Sequence, residues 1–212
     1  MATGKLGRAL AALSFVLLSA GCAEKTADAS SAAAGDASQQ RIEGLDDLAR
    51  DVERTESLRA VKDLQRVYAH YNQFGLWDDM AALFAADAKV EWGDAAVEGR
   101  AAIHDWLREK NKGQSGLAPN ALNTEFIDEP LVNLSIDGNS AQGRWLSLAF
   151  KGDGAGRAWF EGGLYENDYV REDGVWKISA MRYYSQYEGD YAGGWTNVDG
   201  KDLPIIPYHF TV

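Results

Sequence analysis

Cysteine occurs once, at position 22, and histidine three times, at 70, 104 and 209. One thiol excludes an internal disulfide or a thiolate metal cluster, and three scattered histidines argue against a His-rich metal site. Basic residues are outnumbered by acidic ones, 21 to 32, so a phosphate-tracking surface for nucleic acid is not expected. No GxSxG elbow, phosphate loop, nicotinamide fingerprint or metal-ligand spacing occurs. The longest apolar run, Ala9 to Ala20, falls short of the roughly 20 residues a membrane span needs. Aromatics, by contrast, are plentiful. Seven Trp, nine Tyr and seven Phe are present, and all but Phe15 lie after residue 67. In a chain long enough for one self-sufficient core, this predicts a very aromatic core or an aromatic-lined pocket.

The amino terminus reads as an address. Lys5 and Arg8 precede the apolar run, which ends in Leu18-Ser19-Ala20-Gly21-Cys22. A basic start, a short apolar stretch and small residues before a cleavage point describe an export signal over residues 1–21. The ending resembles a bacterial lipobox, with Ser19 where Leu is usual. That resemblance implies lipidation of Cys22, and Ala23 after it implies outer-membrane sorting facing the periplasm. Ordinary cleavage nearby would instead leave a soluble periplasmic protein. Residues 22–44 hold almost no large apolar side chain; they cannot repay their ordering entropy and read as a flexible tether.

From Leu45 the pattern becomes that of a folded domain, expected over residues 45–195, with 196–212 as a tail packing on it. Leu45, Leu48 and Val52 have helical spacing. A stronger helix over 56–74 gathers Leu64, Val67, Tyr68, Tyr71 and Phe74 on one face. Short helices are predicted over 77–84 and from Gly99 to before Gly113, with a brief strand at 90–92 between them. The runs 126–136, 140–150, 158–171 and 175–187 are aromatic and β-branched. Asp137-Gly138-Asn139 and Glu172-Asp173-Gly174 separate neighbours as tight hairpins do. Helices followed by an antiparallel meander indicate an α+β fold, a curved sheet wrapped over helices as a cone with one open end.

Several segments then resemble a known family. Tyr68-Ala69-His70-Tyr71, Trp77-Asp78 and Leu83-Phe84-Ala85-Ala86-Asp87-Ala88 are similar to the opening of the SnoaL-like branch of the nuclear transport factor 2 superfamily. Gly99–Ile103, the segment Asp137 to Trp145 and the segment Gly163 to Ile178 match its later elements in order. The resemblance covers roughly residues 50–195. It implies a cone with an apolar pocket, a homodimer through the sheets, and acid/base chemistry without metal or organic cofactor. Members include dehydratases, polyketide cyclases, isomerases, epoxide hydrolases and a lyase that expels formaldehyde. Others are not catalytic.

The site residues follow from both readings. Tyr68 and Tyr71 lie on the inward helix face, where a buried tyrosine donates to an oxyanion or relays a proton. Asn72 and Gln73 stand where such enzymes often place an Asp, and neither can abstract a proton; His70 reads as a surface residue. Relatives commonly carry a His where Glu125 stands here, and Asn133 occupies a second such place. A Glu in an aromatic pocket can serve as general acid or base, or it can be a solvated acid beside Asp128 and Glu129. Arg144 could hold a carboxylate or phenolate, but strand alternation puts it opposite Trp145, so only one of the two faces the pocket. The expected catalytic set is Tyr68, Tyr71, Glu125 and Arg144. Asn72, Trp92, Trp145, Tyr165, Asn167 and Tyr183 are expected to bind substrate. Trp159, Tyr169 and Tyr184 are further wall candidates, Trp176 and Ile178 are core, and His209 could cap the pocket.

These features together point to a cofactor-independent lyase for an aromatic or polycyclic small molecule, of dehydratase or formaldehyde-releasing type. A non-catalytic, envelope-tethered binding protein for a hydrophobic small molecule is the alternative, and an interaction protein using the outer sheet face is a third reading.

Overall fold

The computed structural model describes the backbone of residues 20–113 and 115–192, with side chains from Gly35 onward. The export signal, the tail with His209 and the side chain of Cys22 lie outside the described residues. The chain divides into two units that meet between Asp51 and Val52. In the first, helix α1 (Ala20–Phe74) is already continuous, and every side chain from Gly35 to Asp51 is exposed. The segment read as a tether is therefore helical from Ala20. Its composition cannot build a core, but alanine-rich sequence needs none to be helical. Among the described residues no helix is long and apolar enough to cross a membrane.

In the second unit, α1 runs on to Phe74 and supplies Val61, Leu64 and Tyr68 to the core. Phe74, expected on that inward face, is 59% exposed. The helix ends there, because Gly75 takes φ +68° and turns the chain away. Helix α2 (Trp77–Ala81) follows, shorter than expected because strand β1 (Phe84–Trp92) begins well before Val90. A short β2 (Ala95–Glu98), absent from the sequence expectation, pairs back on β1. Helix α3 (Arg100–Lys110) then buries Ile103 and Leu107.

Four long strands complete the unit: β3 (Ala121–Leu134), β4 (Ser140–Asp153), β5 (Ala158–Glu172) and β6 (Val175–Asp190). They form the expected meander, and both hairpins fall where the turn signals lie. Asp173 (φ 49°) and Gly174 (φ 80°) close β5 to β6 with the positive-φ pair that matches strand twist. The curved, unclosed sheet has the order β2-β1-β6-β5-β4-β3. Its one parallel pair is β1 with β6, and the fold is α+β.

Register decides which side chains share a face. Trp92, Tyr183, Tyr165 and Trp145 are successive partners across β1, β6, β5 and β4, an aromatic row on the concave face. One residue along, Glu91, Arg182, Glu166 and Arg144 form a row of alternating charge on the opposite face. The core lies between the aromatic row, α1 and α3, and includes Tyr68, Phe84, Ile103, Ile178 and Met181. Trp176 and Ile178 are buried in it, as the sequence predicts.

Candidate active site

The cone mouth opens into a cavity of about 310 Å³. Its walls are indoles from four elements, Trp77, Trp92, Trp106 and Trp159, with Lys110 and Lys151 among them. Tyr68, Asn72 and Asn123 carry the lining inward. Trp92 stacks on Tyr183 at 4.1 Å, and Tyr183 leans on Tyr165 at 4.8 Å. Tyr165 in turn meets Tyr68 edge-on at 5.9 Å. Such contacts fix aromatic orientation beyond what burial alone does.

Glu125 sits where these side chains converge. β3 pairs with β4 so that Glu125 lies opposite Ala149 and Ile127 opposite Ser147, on the concave face. The Glu125 carboxylate accepts hydrogen bonds from Ser147 Oγ at 2.7 Å and Tyr165 OH at 2.8 Å on one oxygen. Its second oxygen accepts from Asn72 Nδ2 at 2.8 Å. These three contacts fix both carboxylate oxygens in place. The network continues outward. Tyr68 packs edge-on against Tyr165, and Tyr183 leans on the same ring. Gly163 leaves room for this arrangement, since a Cβ there would come within 2.8 Å of the Tyr183 hydroxyl.

Electrostatics assign roles within the network. Burial, and then the Glu125 charge, hold the Tyr68 and Tyr165 hydroxyls well above the usual tyrosine range. Burial raises Tyr183 as well, with Glu161 and Glu125 adding to it. All three therefore remain protonated near neutral pH. At the mouth, the Lys110 ammonium stands 3.7 Å over the Trp92 ring and 5.1 Å from that of Trp106. Lys110 is exposed as a residue, yet the crowding of its ammonium by the indoles, and then the Lys151 charge, lower its pKa to about 8. Lys151 pairs with Glu161. Asn123 donates to the Asn72 carbonyl at 2.8 Å, and its own Oδ1 is buried without a partner among the described residues.

The structure brings together only part of the residue set expected from sequence. Tyr68, Asn72 and Trp92 line the cavity; Glu125, Tyr165 and Tyr183 do not line it but each contacts a residue that does, and Glu125 lines a separate surface hollow with His70 and Gln73. Tyr71 is half-buried against the core and neither lines the cavity nor joins the Glu125 network. Arg144 takes no part in the pocket. It lies in the charged row of the opposite face, 3.4 Å from Glu166, because the register turns Trp145 inward. Trp145 and Asn167 do face the concave side but lie deeper. Trp145 Nε1 donates to Tyr169 OH at 2.8 Å, and Tyr169 and Asn167 both donate to Gln65 Oε1 at 2.8 Å. These groups pin α1 to the sheet and do not line the cavity. Tyr169 belongs to the same cluster, Tyr184 is not among the cavity lining, and Asn133 lies along a separate surface hollow. His70 is exposed, as expected. Sequence reasoning missed Lys110, Lys151, Ser147 and Asn123. Ser147 carried a signal, lying two residues from Trp145 and hence on the same strand face. Among the described residues, no three His, Cys, Asp or Glu side chains gather as a metal site.

Comparison with known proteins agrees with this architecture. A scytalone dehydratase-like protein from Novosphingobium aromaticivorans superposes with a TM-score of 0.57 at 20% identity, covering 66% of this chain and 90% of that one. A hexachlorocyclohexane dehydrochlorinase, LinA type 3 from Novosphingobium barchaimii, gives 0.56 at 19%, over 73% and 99%. ActVI-ORFA from Streptomyces coelicolor gives 0.52 at 16%, over 60% and 96%. At these identities the likeness is one of fold. No curated protein matches the chain significantly. The sequence model of the SnoaL-like domain matches residues 53–182, more than half of the chain and nearly all of the second unit. The chain belongs to the SnoaL-like domain family.

Proposed function

We propose that the chain is a cofactor-independent lyase acting by general acid/base chemistry on an aromatic or polycyclic small molecule, with loss of water or formaldehyde. One observation carries the reading: a carboxylate fixed by three donors stands behind an indole-walled cavity, among tyrosines that stay protonated. Glu125 accepts the proton that leaves the substrate and returns it to the departing hydroxyl, which leaves as water, or, where a C–C bond breaks to release formaldehyde, to the carbon left behind. Tyr68, which lines the cavity, donates a hydrogen bond to the oxygen on which negative charge develops. The wall indoles hold the ring and exclude water. Structural neighbours named as a dehydratase-like protein and a dehydrochlorinase support elimination chemistry.

The experiment is an incubation with a panel of aromatic and polycyclic alcohols in cofactor-free buffer, with products read by mass spectrometry. A product lighter by one water or one formaldehyde is expected from at least one compound. Quantitative recovery of every compound, including those that bind, would sink the lyase and favour a binding protein. The presence of Asn72 where related enzymes carry an acid is the observation on that rival's side.

We also propose that the protein is exported and anchored in the cell envelope through lipid on Cys22, and that it dimerises through the sheet. Basic residues before a short apolar run and the lipobox-like ending support the anchor. Cys22→Ala is expected to move the protein from the membrane to the soluble fraction. Unchanged fractionation would contradict the anchor.

A further inference from the structure

The cavity mouth carries charge of the sign the chain has least of. Acidic residues exceed basic ones 32 to 21, yet Lys110, Lys112 and Lys151 all line this one cavity. The one acid in the lining, Asp153, is engaged in its own turn, accepting from the Ala155 amide at 2.7 Å and the Arg157 amide at 3.1 Å. Lys151 is paired with Glu161. Lys110 makes no ion pair with a described residue; its ammonium rests on the indole faces of Trp92 and Trp106. A cation held on an aromatic platform at the cavity mouth is positioned but not neutralised, so an incoming anion meets a charge whose place is already fixed.

We propose that Lys110, with Lys151 beside it, seats the anionic oxygen of the ligand, so that the pocket selects aromatic carboxylates over neutral compounds of the same shape. The indoles of Trp77, Trp106 and Trp159 take the ring while the Lys110 ammonium takes the carboxylate. The steadying of Lys110 by two ring faces fixes where the charge sits, which makes it a specificity-determining residue. This inference deepens the proposed function and rests on the cavity being the ligand site, but not on turnover.

Equilibrium dialysis of the full-length protein against 2-naphthoate and the neutral 2-naphthamide tests it. Wild type is expected to bind naphthoate roughly tenfold more tightly than naphthamide, the scale of one charge-assisted contact. Lys110→Met should abolish that preference and leave naphthamide affinity within about twofold, while Lys110→Arg, which keeps the charge, should retain it. Equal affinities in wild type, a preference surviving in Lys110→Met, or an equal loss for both probes would each overturn the assignment, as would failure of both probes to bind. Equal affinities would leave the lyase reading standing. An anion preference in a protein that turns nothing over would sink only the lyase.

Discussion

Glu125→Gln is expected to lower turnover about 10²–10⁴-fold while leaving the fold intact, the span that loss of a positioned general base produces. Gln keeps the shape of the side chain and one oxygen for the Ser147 and Tyr165 hydroxyls, now 2.7 and 2.8 Å from the carboxylate. Its amide nitrogen would meet Asn72 Nδ2, but Asn72 can turn its own amide, at the cost of the contact from Asn123 Nδ2 to its Oδ1 at 3.1 Å. The structural cost is therefore about one neutral hydrogen bond, on the order of 1 kcal/mol. What is lost outright is a group able to accept a proton. The neighbouring tyrosines cannot take over, because burial, the larger cause of their raised pKa, persists when the Glu125 charge is gone and keeps Tyr68 and Tyr165 protonated. Circular dichroism and kcat measured on the same preparation check both halves. A variant with unchanged kcat removes Glu125 from the chemistry.

Phe84→Ala should cost about 3–5 kcal/mol of stability, the range for a fully buried aromatic truncated in a core that cannot collapse around the gap. Phe84 is 0% exposed and opens β1. Its ring meets Tyr68 edge-on at 6.3 Å, while its carbonyl accepts from Arg100 Nε at 2.7 Å and keeps doing so in the variant. The loss is therefore one of packing, and it reaches the site, since Tyr68 leans on this ring and lines the cavity. Phe74→Ala is the control. At 59% exposed, that side chain should change stability by about 0.5 kcal/mol or less. Urea midpoints of the two variants decide the matter; similar small shifts in both would contradict the packing described for β1.

Both residues lay in segments that the sequence marked, but it did not rank them. Periodicity placed Phe74 with Leu64 and Tyr68 on a helix ending before Gly75, as observed, but a helical wheel shows the direction of a side chain and not whether anything covers it. The four long strands were legible because each is aromatic and β-branched and is bounded by turn residues. β2 was not, being four residues of modest apolarity. In residues 22–44 the poverty of apolar side chains marked a segment without a core of its own, yet left its backbone state open. Absence of burial and absence of helix are separate properties.

The site was half legible for a comparable reason. Glu125 was reachable through its family position and Tyr68 through its helix face. Their connection was not, because the donors to Glu125 come from 53, 22 and 40 residues away. The choice between Arg144 and Trp145 depends on a cross-strand register that joins four strands. Alternation within one strand states that they differ without saying which is inside. Nothing in the sequence singled out Lys110, one of two basic residues in the last turn of its helix. Only the packing of α3 against β1 carries its ammonium over Trp92.

The most direct test of the account uses a small molecule that the cavity binds. Its mass would be followed by mass spectrometry before and after incubation with wild-type protein and with Glu125→Gln. The account predicts loss of one water or one formaldehyde with wild type, and the same molecule returned unchanged by the variant. A ligand that leaves both proteins unaltered, although bound by both, would contradict it.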